Sequence, residues 1–215
     1  MKSIFNQFFL FSCLLVLGLS KAKASDGFRT GARVNLHLGT GFGIYNVSNN
    51  RFGDKDHGTL SGNFRFGADY GILPRFSVGA ELFNNSFATN KDSNNSARLG
   101  GIGIYVHWNF GKKEKTTWYL HSGFGATNFV YEDFDDDGKA TSTGSYFRLG
   151  LGFRRYFGDH FGLYSELLAT GYNFNKFKYG DGQTIKTDYN NNFQVGLGGV
   201  EFRIGVCIAF GKNSD

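Results

Sequence analysis

Two histidines and one acidic run are the residues of this 215-residue chain whose types and spacing bear most directly on chemistry. His107 and His121 flank a short polar segment centred near Glu114. A hairpin there would set the two imidazoles opposite each other on one face of a sheet. Facing imidazoles can hold a metal, but a zinc centre takes three or four ligands. No acidic or cysteine partner is evident beside them, so they are read as hydrogen-bonded side chains. Asp133-Phe134-Asp135-Asp136-Asp137-Gly138 matches D-x-D-x-D-G, an arrangement that can wrap calcium with oxygen ligands. Gly144 stands where such a loop needs its bidentate glutamate, and the flanks read as strands. A hairpin tip of turn-forming residues is expected, with Asp133, Asp135 and Asp137 as a weak calcium candidate. Gly101-Ile102-Gly103 and Gly123-Phe124-Gly125 fall inside strands and are not phosphate loops. No catalytic residue, no cofactor and no enzyme activity are expected.

The elements that must position these residues follow from alternation. Apolar and polar residues exchange places at period two, the signature of strands with two different faces. Val34, Leu36, Leu38, Phe42 and Ile44 share one face of the first segment, and Arg33, Asn35, His37 and three glycines share the other. The same division recurs around Phe64–Ile72, Phe76–Leu82, Ile102–Phe110, Trp118–Val130, Phe147–Phe153, Phe161–Ala169 and Val200–Phe210. The last segment changes phase at Gly198-Gly199, where a β-bulge is expected.

Charge sorting decides what surrounds these strands. Arg33, Arg65, Asp69, Glu81, Arg148, Arg154, Glu166, Glu201 and Arg203 all fall on the polar face. Arg or Lys facing lipid at mid-bilayer costs about 2–4 kcal/mol, so an apolar face free of charge fits a lipid-facing surface. Connections alternate long and short: 46–59, 73–75, 84–97, 111–116, 132–144, 158–160 and about 175–190. Outer-membrane barrels have short periplasmic turns and longer external loops. The expectation is an all-β, eight-stranded antiparallel up-and-down transmembrane β-barrel, with Trp108, Phe110 and Trp118 in an interfacial girdle.

The N-terminus reads as an export signal. Lys2, an apolar stretch from Ile4 to Leu19 and Ala22-Lys23-Ala24 predict a cleaved signal peptide over 1–24 and a barrel domain over 25–215. Lys2, Lys21 and Lys23 would leave with it, so 23 Lys+Arg fall to 20, against 18 Asp+Glu. That near balance, with no basic run interleaved with aromatics, excludes nucleic acid as a partner. Cys207 alone remains of the two cysteines, so no intramolecular disulfide forms.

An eight-stranded barrel has an interior that side chains can fill. The nine charges therefore predict a packed, charge-paired lumen, with Arg154 and Glu166 as one pair and glycines making room for long arginine and tyrosine side chains. Phe52, Phe87, Phe134, Phe177 and Tyr179 stand in the outer loops as a candidate binding surface.

The stretch Gly67-Ala68-Asp69-Tyr70-Gly71-Ile72-Leu73-Pro74-Arg75-Phe76-Ser77-Val78-Gly79-Ala80-Glu81-Leu82 resembles the second hairpin of the OmpA/OmpX-like outer membrane β-barrel family. The Phe202–Phe210 alternation is similar to that family's closing strand, although Gly211-Lys212-Asn213-Ser214-Asp215 follow the final aromatic here. The resemblance implies the cell outer membrane, outer-membrane lipid as surroundings and the barrel assembly machinery during biogenesis. A monomer serving envelope integrity or adhesion is expected, with an extracellular ligand or host surface at the external loops. A narrow porin-like channel and an outer-leaflet lipid-modifying enzyme are the alternatives.

Overall fold

The computed structural model describes residues 34–49, 57–73, 75–87, 97–113, 115–132, 138–187 and 189–210. The expected signal segment 1–24, Arg33, Phe52, Phe134 and the calcium candidates Asp133, Asp135 and Asp137 lie outside the described residues.

Alternation produces eight strands: β1 (Val34–Asn49), β2 (His57–Leu73), β3 (Phe76–Phe87), β4 (Ala97–Lys113), β5 (Thr116–Tyr131), β6 (Ala140–Phe157), β7 (Phe161–Tyr179) and β8 (Val195–Phe210). Each is antiparallel to its neighbours, and β8 pairs back onto β1. Closure leaves no strand edge open along the lipid-facing part of the wall, as lipid requires. The turn from β6 to β7 uses Gly158 at φ 85°, a left-handed conformation that side-chain-bearing residues rarely adopt.

The apolar face points outward. Leu38, Phe42, Ile44, Leu60, Leu82, Ile102, Phe124, Leu151, Leu167 and Ile204 are all exposed on the outer wall. From Val34 to Ile44 the belt rises roughly 25 Å at the usual strand rise and tilt, the height of a bilayer's apolar band. Aromatics mark its lower margin. Phe76 stacks on Trp108 at 6.4 Å, Trp118 meets Phe153 at 4.9 Å, and Phe157 lies 6.4 Å from Phe161, all beside the short turns.

Two expectations about the wall are corrected. There is no bulge at Gly198-Gly199: β8 keeps one register with β1 from Val195 to Phe210. Val195 and Leu197 simply face inward, because the lumen there is apolar. Register shifts occur instead at Gly71/Leu73, Phe110/Lys113 and Ser142/Gly144. The long connections are also shorter than expected, because the strands continue past the lipid belt into them. On β7 the wall runs from Ala169 to Tyr179, roughly 25 Å further.

Candidate functional site

The inward face builds the site as a stack of layers through the lumen. Four arginines (Arg65, Arg148, Arg154, Arg203) and four carboxylates (Asp69, Glu81, Glu166, Glu201) are buried there, a balanced set among the described residues. Each sits on an inward position of its strand, alternating with lipid-facing neighbours.

Nearest the short turns, Asp69 gathers its neighbours. Asn35 Nδ2 donates to its Oδ1 at 2.8 Å, His37 Nε2 donates to its Oδ2, and Arg154 Nη2 lies 3.6 Å from Oδ2. Tyr156 donates to Asn35 Oδ1 at 3.0 Å. In the middle layer Arg65 holds Glu166 with Nη1, 2.9 Å from both oxygens, and pairs with Glu81 through Nε at 2.6 Å. Arg148 Nη1 donates to Glu81 at 2.7 Å, and Tyr146 donates to the same oxygen at 2.7 Å. Above them Arg203 and Tyr45 both bind Glu201, Tyr172 donates to it at 2.9 Å, and Arg148 Nη2 donates to Tyr172 at 2.7 Å. Asn85 completes this layer by donating to Tyr45 and Tyr172 at 3.2 and 3.1 Å.

Glycine provides the clearance for these bridges. The hydroxyl of Tyr146 crosses Gly103 where a Cβ would stand, and the Tyr119 ring does the same at Gly152. Any larger residue at Gly103 would push Tyr146 off Glu81.

The expected pair of Arg154 and Glu166 does not form. Opposite Glu166 in register are Gly152 and Arg203, whereas Arg154 stands opposite Tyr164. Tyr119 fills the space between them: its ring lies 5.1 Å from the Arg154 guanidinium, and its hydroxyl donates to Glu166 at 2.9 Å. Arg154 therefore turns to Asp69, and Glu166 is held from across the lumen by Arg65.

His107 and His121 do face each other in register, with Nε2 and Nδ1 3.0 Å apart. Their surroundings include an acid that sequence alone does not place: Glu166 Oε1 lies 3.9 Å from His107 and 3.7 Å from His121. These three could in principle hold a metal. However, Glu166 already accepts Arg65 and Tyr119, and Arg154 Nη2 lies 3.4 Å from His107 Nδ1. A dication would add two charges to a buried set that already balances, which is costly away from water. A hydrogen-bonded relay fits better. Arg154 can only donate, so His107 Nδ1 accepts and its Nε2–H donates to His121.

Toward the external side the lumen changes character. Phe83, Leu99, Phe129, Phe174, Phe177, Val195 and Leu197 form an apolar cluster above the charges. Ile185 and Phe193 join it from the segment between β7 and β8. That segment folds back on the wall: Ile185 N–H donates to Phe177 O at 2.9 Å and Phe193 N–H to Ile185 O at 3.0 Å. Of the aromatics expected on an exposed loop surface, Phe177 is thus buried, and Phe87 and Tyr179 pack against the cluster half-buried. The sequence signal for this plug was the appearance of Phe83, Leu99, Phe129 and Leu197 on inward positions near the outer ends of their strands.

A closed eight-stranded ring with a lipid-matched outer wall and a charge-filled interior defines a small transmembrane β-barrel. Residues 9–200 match the family model described as the outer membrane protein beta-barrel domain. The chain belongs to that family and resides in the cell outer membrane. Among solved structures it is similar to the outer membrane protein OprG from Pseudomonas aeruginosa, at 14% identity and a TM-score of 0.48, over 86% of this chain and 99% of that one. It is also similar to Ail, the attachment invasion locus protein of Yersinia pestis, at 13% identity and a TM-score of 0.45, over 82% and 98%. The outer membrane protease OmpT from Escherichia coli aligns at 9% identity and a TM-score of 0.48, over 88% and 100%. The search of curated proteins gave no match.

Proposed function

We propose that this chain is a non-catalytic, non-conducting outer-membrane barrel that serves envelope integrity or surface interaction through its external loops. The observation that carries this reading is the double filling of the lumen. Paired charges occupy the half nearer the short turns, and an apolar cluster that includes Ile185 and Phe193 occupies the outer half. An ion entering would have to displace buried salt bridges and then cross an aromatic plug, and each step is costly. Of the side chains able to do chemistry, His37 is spent on Asp69, and His107 and His121 are spent on Arg154 and on each other. The external loops are left as the surface that meets a ligand or a host surface.

Export through a cleaved segment 1–24, insertion by the barrel assembly machinery and a monomeric state belong to the same proposal. Planar-bilayer recording tests its central point. The refolded protein is expected to give no stable openings; regular openings in every preparation would transfer the reading to a narrow solute channel. Lipid A mass spectra from cells with and without the protein are expected to be identical, and a protein-dependent modification would establish an outer-leaflet enzyme.

A further inference from the structure

Among the described residues, the outer wall carries a concentration of positive charge that the lumen and the fold do not explain. Lys176 and Lys178 flank Phe177 on β7; Phe177 points in, so both lysines point out. The returning segment after β7 pairs with it in antiparallel register, Lys178 opposite Thr184, with Ile185 N–H donating to Phe177 O. Two residues along, this register sets Lys186 opposite Lys176. Ile185 and Thr187 are buried, so exposed Lys186 shares the outward face. Like charges directly opposite each other weaken a sheet, and three lysines here occupy two adjacent strands. None of the three pairs with a carboxylate among the described residues; Lys186 Nζ donates to Asn192 Oδ1 at 2.9 Å. By position in the chain the nearest acids are Asp188, two residues after Lys186 and outside the described residues, and Asp181, whose Oδ1 accepts the Gln183 N–H at 2.8 Å. The remaining outward positions are Thr141 and Thr143 on β6, with Thr141 opposite Lys178.

We propose that Lys176, Lys178 and Lys186 form a lateral binding surface for the phosphate groups of outer-leaflet glycolipid headgroups. The direction of the surface selects this partner over a soluble one. These lysines continue the face of β7 that carries lipid-facing Leu163, Leu167 and Ala169, so they look sideways, away from the barrel mouth. Lys176 lies seven residues beyond Ala169, roughly 18 Å above the apolar belt, among phosphorylated saccharides and beyond the hydrocarbon. Lysine supplies compact point charges suited to phosphate.

The test embeds the full chain in nanodiscs of phosphatidylcholine and titrates in a lipopolysaccharide whose core saccharides carry phosphate, or the same glycolipid enzymatically dephosphorylated. Each lysine near an anionic surface contributes about 1 kcal/mol, so the K176Q/K178Q/K186Q variant is expected to bind the phosphorylated lipid about a hundredfold more weakly. The triple arginine variant is expected to retain affinity, and heat-modifiable gel mobility checks that both variants fold. Wild-type binding is expected to fall as salt rises, a reading that needs no variant. Equal binding by wild type and the glutamine variant, or by the two lipids, would overturn the proposal. So would tighter lysine-dependent binding of a soluble sulfated oligosaccharide, which would assign the patch to an extracellular ligand. The outcome is independent of lumen conductance, so it and the sealed-barrel reading stand or fall separately.

Discussion

Replacing Glu81 by Gln isolates the energetics of the lumen. Glu81 meets Arg65 at 2.6 Å, Arg148 and Tyr146 at 2.7 Å, and Arg203 at 3.9 Å. The amide preserves shape but removes one of four buried negative charges, leaving four arginines facing three carboxylates. Breaking a buried ion set by removing one partner costs about 3–5 kcal/mol, because the remaining charge is uncompensated. Urea unfolding of the barrel refolded in phosphatidylcholine vesicles reads this directly. With a denaturant slope of about 2 kcal/mol per molar, the midpoint should fall by about 1.5–2.5 M. Glu81→Gln combined with Arg203→Met restores neutrality and should recover at least half of the loss. A single-variant cost below about 1 kcal/mol, or a double variant no better than the sum of its parts, would refute the claim that charge balance holds the lumen together.

Gly103→Val should destabilise the barrel by about 1–3 kcal/mol through overpacking and should shift the near-ultraviolet tyrosine signal as Tyr146 leaves Glu81. Leu167→Arg, in the lipid belt, should cost about 2–4 kcal/mol in the vesicle assay, whereas Phe210→Arg at the margin should cost no more than about 1. Phe193→Ala should release the segment between β7 and β8. Hydrogen exchange of the Ile185 and Thr187 amides should accelerate while those of the β1–β8 ladder stay protected.

The wall of the barrel was legible in the sequence because it depends on nearest neighbours. Period two settles which residues face lipid, and connection lengths settle the order of strands. The lumen was legible in composition but not in pairing. Its partners meet across the interior, as Arg65 of β2 meets Glu166 of β7, and no sequence spacing encodes that distance. Arg154 was assigned to the wrong acid for this reason, since adjacency across a turn says nothing of an intervening Tyr119. The inward Val195 and Leu197 read as a broken alternation because the lumen turns from polar to apolar at its outer end. The acid beside His107 and His121 was invisible for the same reason: Glu166 lies on β7, two strands away around the ring from β5.

The continuation of the strands past the lipid has a consequence for reach. Connections at the external end span only 50–56, 88–96 and 132–139 on the first three hairpins. Slack chain of that length, starting at the lipid surface, would rarely extend outward and would lose conformational entropy on meeting a partner. Here the hydrogen-bonded wall supplies the height, as the eleven residues from Ala169 to Tyr179 illustrate. The ordering of that wall is completed when the barrel folds, so contact with the upper strands would demand little further immobilisation of the chain.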